Sequence, residues 1–426
     1  MFKSKQFNFD TNFQIMEALN QFIKQKLFRE SQASNIQYFR DFFQCEEIFI
    51  KFGINFLKSS TTSETARKWE KHHFVAMKMA TVVVVMLSII NFVISIVDQS
   101  IVLAIESSAA VGIFTLMLLK IHTVMIKNRG TLMEILEKLE FHFPTDAWNQ
   151  HVFEVQNYLS TLKTFRKITI VIYSTIYIQL ISVPFFQLFY RWITSSDFVI
   201  DLIIQCYIPF DYSNPLVYSI IYVIHAWMFL VNVLALFSNE LLYFGLIIVL
   251  SMEFDILGHL ISEIDPREGL ECALTQMKMF IKIHQELIAI AEKLEDIFSM
   301  ILFVNIFGMI YLICGTAFLS VSGISRYLLL KYFIGLITTS WNGYIQCYFG
   351  ERLIQSSISV ANGAYNSNWY DGSPEYKKLV YIVIARSQKL QKLSALKYVD
   401  VCLETYKWII NKAYSFYSVL TAIYSV

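Results

Sequence analysis

Long apolar runs alternate along this chain with polar, basic stretches. Apolar residues dominate 75–97, 101–125, 167–190, 216–258, 297–320, 327–349 and 401–425. About 20 apolar residues of helix cross a hydrocarbon core of about 30 Å, so each run predicts a membrane helix. The run 216–258 is the ambiguous one. Its 43 residues would extend about 65 Å as one helix, twice the core, and Asn239-Glu240 would serve as a turn if it crossed twice.

Positive charge resolves that choice. Lys and Arg number 28 in 1–74, 126–167, 259–294 and 351–400, whereas the remaining connecting stretches hold only Arg191, Arg326 and Lys331. Short loops rich in Lys and Arg stay on the cytoplasmic side. Two crossings within 216–258 would reduce the split to 19 against 12, so a single long helix running into the cytoplasm is expected. The predicted fold class is an all-α membrane protein with seven transmembrane helices, an intracellular N-terminus and an extracellular C-terminus. G-protein-coupled receptors have the opposite sense, which excludes the commonest seven-span reading.

The boundaries follow from the same pattern. Residues 1–74 read as cytoplasmic N-terminal amphipathic helices. In 12–29, Phe13, Met16, Leu19, Phe22, Ile23 and Leu27 alternate with Lys24, Lys26 and Arg29, as in a helix lying on a membrane surface; 36–58 repeats the style. No signal peptide is read here, and the first span would act as its own insertion signal. Residues 75–258 hold the first four spans, with Asp98-Gln99-Ser100 as a tight outer turn, a helical stretch at 132–141 broken at Pro144, and an acidic outer loop at 191–214. A turn at 265–269 opens a cytoplasmic helix over 259–296, which leads into the fifth and sixth spans, 297–349. Residues 350–400 form a cytoplasmic anchor segment and 401–426 the final span.

Composition agrees and removes other classes. Apolar residues make up 55% of the chain and charged ones 16%, against about 25% charged in soluble domains. The basic residues track loops and form no separate basic domain, so nucleic acid is excluded as a partner. The six cysteines (45, 206, 272, 314, 347 and 402) are isolated, and the eight histidines show no ligand spacing. Neither HExxH nor GxSxG occurs. No metal, cofactor or enzymatic activity is expected.

The last span carries the most pointed pattern. Lys407, Asn411, Ser415, Ser418, Thr421 and Ser425 recur at steps of three and four, with Glu404 one turn earlier. They form a polar stripe on one helix face, opposite Ile409, Ile410, Phe416 and Leu420. Polar groups within a membrane are costly and face water or a bundle interior. One reading is a pore-lining helix repeated around an axis. The other is a helix whose hydroxyls back-bond or pack against neighbours. Val419 and Ile423 lie near its outer end, where apolar side chains can gate a pore by dewetting.

The segments Cys347-Tyr348-Phe349-Gly350-Glu351-Arg352-Leu353, Ala364-Tyr365-Asn366-Ser367-Asn368-Trp369-Tyr370, Ser387-Gln388-Lys389 and Ala413-Tyr414-Ser415-Phe416-Tyr417-Ser418-Val419-Leu420 follow in order. Together they resemble the C-terminal third of insect odorant receptors, over roughly residues 345–424. The family pattern has Pro where Leu390 stands. The chain looks like an odour-tuning subunit, since it lacks the coreceptor's long insertion after the fourth span.

The resemblance implies an odorant-gated cation channel in the plasma membrane of sensory neurons, assembled with the odorant receptor coreceptor as a heterotetramer. It implies a pore lined by the last helix, a gate at Val419 and Ile423, and a cytoplasmic anchor in which Tyr365, Trp369 and Lys389 are interface candidates; packing within one subunit is their other reading. It also implies a small volatile ligand bound in the outer half of the membrane, among the second, third, fourth and sixth spans. Topology puts Tyr173, Tyr177 and Leu180 there from the third, His225, Met228 and Phe229 from the fourth, and Tyr332, Phe333 and Leu336 from the sixth. His225 would bond a ligand oxygen or, alternatively, a neighbouring helix. Glu106 would line a vestibule. A gustatory receptor would share this topology. A transporter would show internal repeats, and none is evident.

Overall fold

The computed structural model describes residues 37–43, 64–194, 202–204, 206–210, 214–321 and 326–424. The amphipathic stretch 12–29 and most of 36–58 lie outside them. The described chain is almost wholly helical. Helix α1 (Glu64–Val97) and α2 (Ile101–Lys120) are antiparallel, and α2 ends in a wider π-helical turn, Ile121–Lys127. Short helices α3 (Arg129–His142) and α4 (Ala147–Val152) lead into α5 (Val155–Thr194). Then come three long helices, α6 (Pro215–Ser262), α7 (Leu270–Val321) and α8 (Arg326–Asn366), followed by α9 (Pro374–Ser387) and the final α10 (Leu403–Tyr424).

Local chemistry sets these boundaries. Between α1 and α2 the chain reverses over Asp98–Ser100, with Gln99 in the left-handed region (φ 56°) and Ser100 N–H closing on the Ser95 carbonyl at 2.9 Å. Asn214 caps α6 by accepting from Leu216 N–H at 2.9 Å, with Pro215 in the first turn, where its missing N–H is no loss. Ser373 and Pro374 open α9 in the same way. The run 216–258 lies in one unbroken helix of 48 residues, α6.

α1 leaves Met79, Val83, Met86, Ile90, Val93 and Val97 exposed, an apolar stripe at steps of three and four that only hydrocarbon would cover without cost. Among the described residues four helices contain stretches long and apolar enough to span a bilayer: Val75–Val97, Leu103–Val124, Leu216–Ser262 and Leu270–Gly315. The protein is therefore an all-α membrane protein.

The longest contact joins α6 to α8. At their crossing a Cβ on Gly258 would lie 2.8 Å from the Ser359 carbonyl oxygen, and one on Gly363 would collide with the Gly258 carbonyl. Backbone cannot move aside as a side chain can, so Gly363→Ala is expected to destabilise the receptor by about 1–3 kcal/mol, read as a lowered unfolding temperature in detergent. About one turn before this crossing one carboxylate ties three helices. Asp255 Oδ2 (α6) accepts from Tyr158 Oη (α5) at 2.7 Å, Ser356 Oγ (α8) at 2.8 Å and Arg352 Nη2 (α8) at 3.2 Å. Burial and the Asp255 charge push the Tyr158 phenol well above its ordinary value, so it remains a donor.

Before α10 the chain makes a two-stranded hairpin, Ser394–Ala395 against Val399–Asp400, turning through Leu396 and Lys397, both at positive φ. Leu396 N–H donates to Ser299 Oγ of α7 at 2.8 Å, and Ser394 Oγ bonds Glu295. The hairpin thus fixes the point where α10 begins. Gly350, inside the Cys347–Leu353 segment, allows the Val401 carbonyl to lie against α8, where any Cβ would clash.

Candidate functional site

A chamber of about 620 Å³ lies between α2, α5, α6, α7 and α8, within the range of about 300–1,000 Å³ that holds small ligands. Most of its wall is apolar, including Phe114, Leu180, Phe229, Phe303 and Leu312. The chamber is deep. Ile105 and Lys120 both line it from α2, and that separation is roughly 22 Å of helix.

Its inner end is charged. Lys120 Nζ (α2) bonds Glu240 Oε1 (α6), and Gln346 Nε2 (α8) donates to Glu240 Oε2 at 3.1 Å. All three side chains are buried. In a low-dielectric wall each charge is tolerable only because the other is present. Higher up, Asn305 of α7 lines the chamber, and its Oδ1 is buried with no hydrogen-bond partner among the described residues.

The aromatic and aliphatic candidates separate into three sets. Tyr173, Leu180 and Phe229 line the chamber. Tyr177 stands behind Phe229, their rings parallel within 4° at 6.0 Å. His225, Met228, Phe333 and Leu336 are not on its wall. His225 is buried with Nε2 3.8 Å from Cys206 Sγ, and Met228 packs against the small cluster that contains the same cysteine. Phe333 is mostly exposed, and Leu336 packs against the main core. Tyr332 falls on α8 with its side chain outside the described set. From α8 the chamber receives Gly335, Thr338, Thr339 and Asn342 instead. Glu106 lines it from α2. The α7 wall, with Phe303, Asn305 and Tyr311, was not among the sequence candidates. Its one signal was Asn305, a polar residue inside an apolar run.

α10 rests on α7 and α8 through a narrow strip, Ile409 and Ala413, with Tyr406 beside them. Lys407, Asn411, Ser415, Ser418 and Val419 are exposed on the single chain. Ser415 Oγ donates to the Asn411 carbonyl at 2.9 Å and Ser418 Oγ to the Tyr414 carbonyl at 3.0 Å, so both hydroxyls stay on the uncovered face while satisfied by their own helix. Phe416, expected opposite the stripe, is exposed, as are Trp408 and Tyr414. Thr421 and Ile423 fall on the last turn of α10, their side chains outside the described set. In the segment 350–400, Tyr365 and Lys389 are exposed, whereas Trp369 packs within its own chain.

Long apolar helices enclosing a mostly apolar chamber define the class as a helical membrane protein with an internal cavity. The chain belongs to the 7tm odorant receptor family, whose model matches residues 100–414. It is a receptor of that family and no enzyme.

Odorant receptor 49a of Drosophila melanogaster is 27% identical over 310 residues, which is 71% of this chain and 76% of that protein. The odorant receptor coreceptor of Harpegnathos saltator is 36% identical over 85 residues, 20% of this chain and 18% of that one. The fold matches olfactory receptor OR5 of Machilis hrabei in complex with eugenol, with a TM-score of 0.77 at 13% identity over 90% of this chain and all of the other.

Proposed function

We propose that this receptor is the odour-tuning subunit of a ligand-gated, non-selective cation channel, working in the plasma membrane of olfactory neurons with the odorant receptor coreceptor. The observation that carries the reading is that α7 and α8 wall the chamber and also carry α10. A small volatile filling the chamber presses on the two helices that support the last one. If it binds more tightly when those helices are displaced, it shifts the population toward that state. The polar row of α10 would then line the pore, with the same helix of other subunits completing the ring and membrane lipid meeting the exposed face of α1. The volatile class is small and largely apolar, as eugenol is in the Machilis complex. The seven-span arrangement, with the N-terminus inside, is supported by the basic-residue asymmetry.

Expression with and without the coreceptor, followed by recording during exposure to a volatile panel that includes eugenol, tests this. Current only in the pair, without added nucleotide, is the expected result; current that needs nucleotide overturns it. A tag after Val426 is expected to be reached by antibody on intact cells. Val419→Ala combined with Ile423→Ala is expected to raise basal current several-fold or change ion selectivity, because a wider, wetter constriction no longer dewets. Unchanged currents in both respects remove the pair from the gate.

A further inference from the structure

The connection between α5 and α6 holds a second site that the chamber does not use. Its described residues, 202–204 and 206–210, fold onto the bundle instead of lying over it. Tyr207 N–H donates to the Leu87 carbonyl, well inside α1, at 3.1 Å. This insertion buries Cys206 among Val84, Phe114 and Ile204. The thiol is free. It makes a long hydrogen bond with the His225 ring of α6, Sγ to Nε2 3.8 Å. His225 is 7% exposed, and its Nδ1 has no hydrogen-bond partner among the described residues. The thiol is thus the one partner this buried imidazole has among the described residues, and both donors are turned toward each other in an apolar surround. Met228 follows one helical turn after His225 and packs against the same cluster as Cys206.

We propose that Cys206, His225 and Met228 bind a soft monovalent metal ion, Cu(I) or its analogue Ag(I). Among the described residues no three His, Cys, Asp or Glu side chains gather, so hard or borderline ions that need such a set are not served. A thiolate, an imidazole and a thioether are the donor set that soft copper prefers. The spacing also fits. With metal–sulfur and metal–nitrogen bonds of about 2.3 and 2.0 Å, an S···N separation of 3.8 Å places the metal at an S–M–N angle of about 120° by the same lengths, which is trigonal. The apolar surround excludes water and leaves few competing donors. On binding, the Cys206 thiol releases its proton to solvent as the S–M bond forms. No electron is transferred. Ile203, Ile204 and Phe229 belong to the chamber wall, so an occupied site would pin the inserted connection to α6 along that wall.

The test uses the purified full-length receptor, reduced with ascorbate and titrated with Cu(I) held by excess bicinchoninate. The parent is expected to withdraw one more equivalent than Cys206→Ser. His225→Ala and Met228→Leu are expected to weaken that equivalent at least tenfold. The single-residue comparison is needed because Cys45, Cys272, Cys314, Cys347 and Cys402 are also present. Uptake unchanged in Cys206→Ser overturns the site, and so does uptake that falls there but is untouched by both His225→Ala and Met228→Leu, the signature of a lone thiol. If Cys206→Ser misfolds, Ag(I) at a fixed concentration should raise the unfolding temperature of the parent clearly more than that of Met228→Leu or of His225→Ala. An equal rise in all three refutes the proposal. Neither measurement requires an odorant or a current, so the outcome is independent of the channel reading.

Discussion

Lys120→Met is expected to destabilise the receptor by about 3–5 kcal/mol, the usual result of stripping one partner from a buried ion pair. Met matches the length of the lysine stem, so packing is nearly conserved and the loss is electrostatic. What remains is Glu240, 3% exposed, with Gln346 Nε2 at 3.1 Å as its one described donor. Glu240→Gln added to Lys120→Met should recover most of the loss, because the second substitution removes the stranded charge and keeps an acceptor for Gln346. Thermal unfolding in detergent and the amount of receptor reaching the cell surface measure both variants. A single variant as stable as the parent would mean that water reaches the inner end of the chamber and screens the pair.

Gly335→Leu is expected to abolish the volatile-evoked current, or raise the half-activating concentration more than tenfold, without lowering stability. Gly335 lines the chamber, and a Cβ there meets nothing within 4 Å. The new side chain therefore leaves the backbone into open space on the chamber wall and takes volume from the chamber. Glycine inside a helix costs roughly 0.5–1 kcal/mol relative to alanine, so the substitution should if anything stabilise α8. Stability and response are expected to move in opposite directions, which an ordinary folding defect cannot do. An unchanged dose–response curve would place the ligand elsewhere.

These two residues show how differently parts of the molecule could be read from sequence. Lys120 and Glu240 stand in different apolar runs, 120 positions apart. Nothing local marks them as partners. The polar row of α10 was legible because its period is that of the helix: Lys407, Asn411, Ser415 and Ser418 share a face wherever that helix sits. Which side of the row would be covered was less legible. Phe416 is apolar and exposed, because only a strip as narrow as Ile409 and Ala413 reaches α7 and α8. The hairpin at 394–400 carried no signal, since its turn residues are Leu and Lys where Asn or Gly would advertise positive φ.

Helix lengths, the choice of membrane as solvent and the basic-residue asymmetry are properties of neighbouring residues, and the chain alone determined them. Hydropathy and backbone propensity act over one or two turns and need no partner. The chamber is of another kind. In a span that is apolar all round, every face is equally acceptable to lipid, so rotation about the helix axis is decided only by what packs alongside. That is why Tyr173, Leu180 and Phe229 reach the chamber while Phe333 and Leu336 do not, why α7 supplies a wall, and why His225 meets Cys206. Close approaches such as Gly363 on Gly258 fix those rotations, and only the assembled bundle contains them.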